Sequence, residues 1–250
     1  MYQQYRPPNL YGIPPVVKNL VIINVLFFIA TYALANRGID LYYYLGLYSP
    51  LSGNFKTFQL ITHMFMHVDF SHLGFNMLGL VFLGSSIEVL WGWKRFLGYY
   101  FFTGFGAALF YVLVKYLMIY RLSHQISVDE FNFILTNGTD LYNNSKNYVD
   151  TTYAQINTLI NTCTVGASGA GFGILLAFGM LFPNTELMMF FVPFPIKAKY
   201  LVVGLAVLEI FLEFGKFKGD NVGHLAHLGG MLFGYILIKY WNKTNRKTLY

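Results

Sequence analysis

Long runs of apolar residues, separated by short polar segments, dominate the chain. A helix that crosses about 30 Å of hydrocarbon needs roughly 20 residues. Runs that approach this length lie at approximately 19–36, 70–90, 96–119, 166–183, 198–214 and 223–241. Backbone polar groups must be paired inside a membrane, and these runs lack the alternating pattern of barrel strands. The pattern therefore predicts an all-α membrane protein, a bundle of six transmembrane helices.

The composition agrees with a membrane environment. Apolar residues make up 56% of the chain and charged residues 11%, whereas about a quarter of an ordinary globular protein is charged. The net charge is +6, but the basic residues occur in short groups between apolar runs, so we expect lipid and not nucleic acid as the partner. The single cysteine, Cys163, excludes an internal disulfide and a cysteine-based metal site.

The positions of Lys and Arg predict how the helices are oriented, because positive residues are retained on the cytoplasmic side of a membrane. With the N-terminus inside, ten of the 17 Lys and Arg residues fall in inside segments. They include two short loops, which the rule weights most, at Lys94-Arg95 and at Lys197-x-Lys199. Both termini are therefore predicted to be cytoplasmic.

This topology divides the chain into a cytoplasmic leader, a membrane domain and a cytoplasmic tail, over 1–18, 19–241 and 242–250. The outer loop at about 121–163 is polar and rich in Asn, Thr and Asp, which predicts an ordered or partly disordered insertion. The apolar run after Lys18 also imitates a signal peptide. The helix count works only if that run is retained.

Few polar residues lie inside the predicted spans, and such residues are functional candidates because lipid disfavours them. His72 and Asn76 open the second span, Ser168 the fourth, and His224 and His227 the sixth. These helices all begin on the outer side, so the side chains share one depth. A hydroxyl, an imidazole and a His/Asn pair supply a nucleophile, a base and oxyanion donors for acyl transfer. Asn76 alone could instead join two helices.

The sets of residues that other hydrolytic mechanisms need are incomplete in this sequence. No second carboxylate accompanies Glu88 at the inner end of its helix, so an acid pair has no site, and the spans hold no pair of aspartates. His63 and His67 have the i, i+4 spacing of metal ligands, but the glutamate of a His-Glu-x-x-His helix is missing. Satisfied histidines that brace the first outer loop, predicted at about 37–69, explain this pair more simply. We expect no metal and no organic cofactor.

Ser168 stands among small residues, in the segment Gly166-Ala-Ser-Gly169-Ala-Gly-Phe-Gly173. The absence of bulky side chains lets another helix or a substrate strand approach the hydroxyl. The helix N-terminus adds unpaired N–H groups, including that of Ser168. A packing seam between helices has the same local sequence, so the segment alone leaves both interpretations open.

His227 is the better candidate for the base. Gly230 and Gly234 follow it by three and seven residues, on the same helical face, so that face can dock on the glycine face of the fourth helix. Close approach allows a Ser to His hydrogen bond of about 2.6–3.2 Å. His224 lies one turn nearer to water without this spacing, which favours an interfacial or loop-capping histidine.

The chain resembles the rhomboid intramembrane serine proteases in four short motifs. In order they are His63-Met-Phe-Met-His67, His72-Leu-Gly-Phe-Asn76, Gly166-Ala-Ser-Gly169 and Ala226-His-Leu-Gly-Gly230. The resemblance implies that Ser168 is the nucleophile and His227 the general base of a dyad without a third acid. It also implies that His72, Asn76 and the N–H of Ser168 form the oxyanion hole, and that Phe172 packs on the catalytic imidazole.

Two positions test how closely the chain follows the family. The family pattern Ala-His-x-x-Gly-x-x-x-Gly fits at His227 and fails at His224, where Met231 would replace the last glycine. Members commonly carry Trp-Arg where this chain has Phe58-Gln59. The resemblance therefore leaves open how the first outer loop is anchored.

The resemblance implies a serine endopeptidase that cleaves transmembrane helices of other membrane proteins near the outer membrane face. Its partners would be transmembrane protein substrates and membrane lipids. We expect a multi-pass protein of the bacterial cytoplasmic membrane. The alternative is a non-catalytic rhomboid-like protein that binds client helices, which needs the glycine seams but no nucleophile. The sequence does not indicate an oligomeric state.

Overall fold

A computed structural model describes residues 12–189, 192–215 and 223–244. The helices are α1 Pro15–Ala35, α2 Leu41–Leu45, α3 Gln59–Thr62, α4 Phe70–Gly79, α5 Ser85–Trp91, α6 Trp93–Ser123, α7 Val128–Asn143, α8 Thr151–Asn161, α9 Ser168–Leu181, α10 Ala198–Gly215 and α11 His224–Thr244. A 3₁₀ turn, His63–Phe65, follows α3, and a π-helical stretch, Leu80–Gly84, joins α4 to α5. Strands β1 Glu186–Met189 and β2 Val192–Lys197 form an antiparallel hairpin. Residues 1–11 of the predicted leader and 245–250 of the predicted tail lie outside the described residues.

Helices overlap all the predicted spans, but they differ in length. Among the described residues, three helices are long and apolar enough to cross a membrane: Pro15–Ala35, Phe70–Trp91 and Trp93–Ser123. Helix α9 is apolar but has only 14 residues, fewer than the roughly 20 that a full crossing needs. The protein is mainly helical, as predicted, while the number of crossings stays a prediction.

Glu88 fixes the start of α1 from a neighbouring helix. Its carboxylate oxygens accept the backbone N–H groups of Val16 and Val17 at 3.0 and 2.8 Å, and the side chain is buried. The first N–H groups of a helix lack partners within it, and the N-terminus attracts negative charge. Helix α1 therefore begins at Pro15, four residues before the predicted span.

Helices α6, α9 and α11 pack on one another, and α6 and α11 both approach α9 closely at glycines. The hydroxyl of Tyr99 on α6 donates to the carbonyl of Gly173 at 2.8 Å. Gly230 on α11 lies so close to Gly169 that a Cβ would overlap the Gly169 carbonyl oxygen. Gly234, by contrast, faces the Tyr99 hydroxyl. The predicted docking of this α11 face on α9 is seen at Gly230, while the nearest atoms to a Cβ on Gly234 belong to Tyr99 and Thr103 of α6.

The insertion at 121–163 is ordered and contains α7 and α8. It packs on the first outer loop through polar side chains. The hydroxyl of Ser52 donates to Asn161 at 2.7 Å, and the side-chain amide of Asn54 donates to Asn143 at 2.9 Å. The insertion thus supports the loop beneath it.

Gln59 anchors the first outer loop, which the resemblance left without an explanation. The side chain is fully buried. Its oxygen accepts the N–H of Lys56 at 3.0 Å and that of Tyr48 at 3.5 Å. Its amide donates to the carbonyls of Tyr44 and Asn54 at 3.2 and 3.0 Å. One neutral side chain therefore satisfies four backbone groups of the loop.

Candidate active site

The segment before Ser168 is fastened to the first outer loop. Thr164 and Leu47 exchange two backbone hydrogen bonds of 2.9 Å, and the N–H of Gly166 donates to the carbonyl of His63 at 2.8 Å. Gly166 has a φ of +129°, a conformation that L side chains rarely adopt. A Cβ there would also lie 2.9 Å from the His72 ring. These contacts orient the start of α9, where Ser168 is the first residue.

Lys115 of α6 adds a third attachment to the same segment. Its ammonium group donates to the carbonyl of Thr162 at 3.0 Å and lies 5.1 Å from the ring centre of Tyr111. The side chain is 4% exposed, so the cation is held inside the protein. It braces the chain between α8 and α9.

Ser168 and His227 lie in hydrogen-bond contact. The serine Oγ is 2.8 Å from the His227 Nε2, so the hydroxyl donates when the imidazole carries its proton on Nδ1. The ring of Phe172 is stacked on the imidazole, with centroids 4.1 Å apart and planes at 8°. The closeness of α9 and α11 at Gly169 and Gly230 makes this short contact possible.

His72 and Asn76 line the same cavity as Ser168 and His227. The side-chain amide of Asn76 donates one N–H to the carbonyl of His72 at 2.8 Å, which leaves its second N–H for another acceptor. The His72 ring lies against Gly166, two residues before the serine. The unpaired N–H groups at the start of α9 belong to the same region.

The cavity around these residues has a volume of about 1060 Å³. Its walls combine the small residues at the start of α9 with polar groups and extend to Lys115 on α6. A space of this size is comparable with large ligand pockets. It can take an extended peptide segment together with water.

Glu209 of α10 is the functional candidate that the sequence reasoning missed. Its Oε2 lies 2.5 Å from the Nδ1 of His224 and 2.9 Å from the Nδ1 of His227. The second contact lies at ion-pair distance, and the ring N–H is not aligned as a hydrogen bond. A carboxylate in the middle of an apolar span is itself a functional signal, and this signal could have found Glu209.

His224 differs from its predicted environment. It is 5% exposed and is paired with Glu209, so the expectation of an interfacial or loop-capping histidine is wrong. Its ring lies 6.2 Å from that of His227 at 89°. Both histidines therefore present Nδ1 to one carboxylate oxygen.

Two groups of histidines bear on metal binding. Within the described part of the chain, Glu209, His224 and His227 each offer a donor atom, and these atoms lie within 4.8 Å of one another. The pair considered from the sequence, His63 and His67, lies in the first outer loop. Burial lowers the pKa of each to about 4, so both are neutral at pH 7.

The bracing role expected for these two histidines holds for His63, whose Nδ1–H donates to the carbonyl of Gln59 at 2.8 Å. The ring of His67 packs edge-on against His72 at 5.0 Å. Neither ring nitrogen of His67 forms a well-aligned hydrogen bond within the described residues, although the ring interacts with the backbone of Phe65. His67 is therefore held mainly by packing, and the expectation that its hydrogen bonds are satisfied stays a prediction.

A hydroxyl in contact with an imidazole, in a helical protein with membrane-length apolar helices, defines the class of candidate intramembrane serine hydrolases. The Rhomboid domain family model matches residues 54–243. The chain belongs to the rhomboid family. Family membership and the apolar helices together make it an integral membrane protein.

Several characterised proteins are similar over most of this chain. Rhomboid-like protease 3 of Toxoplasma gondii is 26% identical over 198 residues, which are 78% of this chain and 56% of the relative. Rhomboid protease AarA of Providencia stuartii is 29% identical over 178 residues, 70% and 52% of the two chains. Rhomboid protein 1, mitochondrial, of Saccharomyces cerevisiae is 26% identical over 189 residues, 76% and 43%. The chain spans about half the length of these curated relatives. Because they come from bacteria and from organelles, they do not assign the membrane in which this chain resides.

Proposed function

We propose that the chain is an intramembrane serine endopeptidase that cleaves transmembrane helices of membrane-protein substrates near the outer membrane face. Ser168 is the nucleophile and His227 the general base. The observation that carries the proposal is the 2.8 Å contact between Ser168 Oγ and His227 Nε2. Relatives that are named as proteases support it.

The reaction follows from these positions. Ser168 Oγ attacks the carbonyl carbon of the substrate while its proton passes to His227 Nε2. The carbonyl electrons move onto oxygen, and this oxyanion accepts hydrogen bonds from His72, Asn76 and the N–H of Ser168. The imidazolium then protonates the leaving nitrogen as the C–N bond breaks. Water, deprotonated by His227, hydrolyses the acyl-enzyme and restores the serine.

The substrate must unwind before it can be cut. Helical peptide bonds are occupied by their own hydrogen bonds, so residues that weaken a helix near the cut favour cleavage. The cavity of about 1060 Å³ beside Ser168 has room for an unwound segment. Its polar walls can also hold the water that hydrolysis requires.

For the topology we propose six crossings, with the membrane domain over 19–241 and both termini cytoplasmic. Helix α9 has 14 residues, about 21 Å at 1.5 Å per residue, so its N-terminus would lie below the outer surface. Reporter fusions at both termini, active only on the cytoplasmic side, test the orientation.

For the location of the protein we propose the bacterial cytoplasmic membrane. Membrane fractionation of the native host tests this proposal.

The second candidate function is that of a non-catalytic rhomboid-like protein that binds client helices. Such a protein needs the glycine contacts between α9 and α11 but no nucleophile. The contact between Ser168 and His227 favours the enzyme.

The test is labelling of detergent-solubilised protein with a serine-directed fluorophosphonate, with wild type compared to Ser168→Ala, His227→Ala and His224→Ala. We expect labelling of wild type, slower labelling of His224→Ala and none of the other two variants. Circular dichroism checks that each variant is folded. Unlabelled wild type, under conditions that label a known rhomboid, would contradict the enzyme. Loss of label in His224→Ala with retention in His227→Ala would transfer the role of base to His224.

A further inference from the structure

The carboxylate of Glu209 lies on the side of His227 opposite the serine. Nε2 of the imidazole faces Ser168 Oγ at 2.8 Å, and Nδ1 faces Glu209 Oε2 at 2.9 Å. Serine, imidazole and carboxylate therefore follow one another in space. They come from three different helices, α9, α11 and α10.

This position matters for the tautomer of His227. A neutral imidazole carries one proton, and only the tautomer protonated at Nδ1 leaves Nε2 free to accept the serine proton. A carboxylate can accept from Nδ1–H but cannot donate to it, so it favours this tautomer. It also stabilises the imidazolium that forms when the serine attacks.

Glu209 is itself held in place. Its side chain is 8% exposed, and that of His224 is 6% exposed. An isolated ionised carboxylate at such a site would be strongly disfavoured. The Nδ1 of His224 lies 2.5 Å from the same oxygen that faces His227. His224, which lies on α11 one turn before His227, thus holds this Glu209 oxygen in place.

We propose that Glu209 is a positioning residue that sets the tautomer and orientation of His227, with His224 holding Glu209 in place. The inference rests on the proposed function, and it departs from the dyad without a third acid that the family resemblance implies. Glu209 is not among the residues that line the cavity at Ser168, and it contacts His227, so it acts through the imidazole. Ser168 and His227 remain the catalytic pair, Glu209 orients His227, and His224 is a second donor to the carboxylate.

The test separates a positioning role from a structural one by following fluorophosphonate labelling over time. The rate constant reports how well Ser168 is activated, whereas the final fraction labelled reports how many molecules are folded. The variants are Glu209→Gln, which removes the charge at equal size, and Glu209→Asp, which retains it. Glu88→Gln is the matched control, because Glu88 is also a buried glutamate, but its carboxylate binds the start of α1 and not the active site in the described part of the chain.

We expect Glu209→Gln to reach the wild-type final fraction with a labelling rate constant about 10²-fold lower. This loss is smaller than the about 10⁴-fold loss known when the acid of a catalytic triad is neutralised, because His224 shares the carboxylate. Glu209→Asp should recover part of the rate. Substrate cleavage should show the loss in kcat with KM within about twofold of wild type. Glu88→Gln should melt at a lower temperature and label at the wild-type rate.

Three results would overturn the inference. One is a wild-type rate constant in Glu209→Gln. Another is a lower final fraction at an unchanged rate, which would make Glu209 structural. The third is loss of labelling in a chelator with recovery on adding Zn²⁺, which would assign Glu209, His224 and His227 to a metal. Absence of Ser168-dependent labelling in wild type would instead contradict the proposed function, so the two failures are distinguishable.

Discussion

At the scale of single residues, the geometry of the site depends on the absence of side chains as much as on their presence. Gly230 and Gly169 bring the backbones of α11 and α9 into contact. His227 lies one turn before Gly230, and Ser168 directly precedes Gly169. The spacing of the two helices therefore controls the distance between the base and the nucleophile.

Gly230→Ala tests this control. The new Cβ would overlap a backbone carbonyl, which cannot rotate away, so the helices must separate. We expect the free energy of unfolding to fall by about 1–3 kcal/mol and labelling of Ser168 to slow more than tenfold. Labelling kinetics and thermal unfolding in detergent measure the two effects.

Gly204→Ala on α10 is the matched control, because nothing lies within 4 Å of a Cβ at that position. Alanine in an open helical position stabilises by roughly 0.5–1 kcal/mol. Equal damage from the two substitutions would show that helix spacing is not the cause.

Phe172→Leu addresses the stacked ring. A stacked pair contributes about 0.5–1.5 kcal/mol beyond its buried area, and about 1.4 kcal/mol is a factor of ten in rate. We expect the labelling rate constant to fall roughly three- to tenfold as the imidazole gains freedom. Phe178→Leu, a fully buried change on the same helix, should lower the melting temperature without changing the rate per labelled molecule. The same rate loss in both variants would argue against a specific role of the stacking.

At the scale of elements, the first outer loop is the support of the active site. It forms backbone hydrogen bonds with Thr164 and Gly166 just before the nucleophile. Its Ser52 and Asn54 side chains form hydrogen bonds with the α7–α8 insertion. Gln59 joins the parts of this loop to one another. A change in the loop should therefore reach Ser168 through backbone hydrogen bonds.

Gln59→Leu would leave backbone groups of the loop without partners. A buried polar group that loses its partner costs about 1–3 kcal/mol, so we expect the free energy of unfolding to fall by about 2–3 kcal/mol. Limited proteolysis should cut the loop sooner than in wild type. Gln155→Leu on α8, where the side chain is exposed, should change stability by less than about 0.5 kcal/mol. If the loop resists protease equally in both variants, Gln59 is not its anchor.

At the scale of the whole molecule, His63 and His67 make the fold sensitive to acid. Their folded pKa is about 4 because of burial, against about 6.5 in an unfolded chain. Between these values the unfolded state binds more protons, so stability is full above pH 6.5 and is lost as the pH falls toward 4. The slope is about 1.4 kcal/mol per pH unit for each histidine.

Thermal unfolding at pH 7 and pH 5 measures this effect. His67→Gln removes one of the two groups and should reduce the loss of stability between the two pH values. His124→Gln, at an exposed site after α6, should leave the loss unchanged. A pH dependence that is identical in wild type and in His67→Gln would contradict the assignment to the buried loop histidines.

The sequence alone determined the helical class, the approximate positions of the apolar helices and the proposed nucleophile and base. This was possible because apolar runs, and the positions of Ser, His and Asn within them, are visible in the local sequence. When these runs cross one bilayer as helices, the three side chains are expected at the same depth. The glycine spacing and the family resemblance together selected His227 over His224.

Only the tertiary structure decided how helix faces are turned toward one another. A single apolar helix does not reveal which residue faces which neighbour, so the pairing of Glu209 with both histidines did not follow from α10. For the same reason the contact of Gly234 with Tyr99 of α6 did not follow from α11, and Gln59 had no predicted role, because the four backbone groups that it binds come together only in the folded loop. Contacts between residues far apart in the chain depend on the rotation and spacing of packed helices, and these are set by all the helices together.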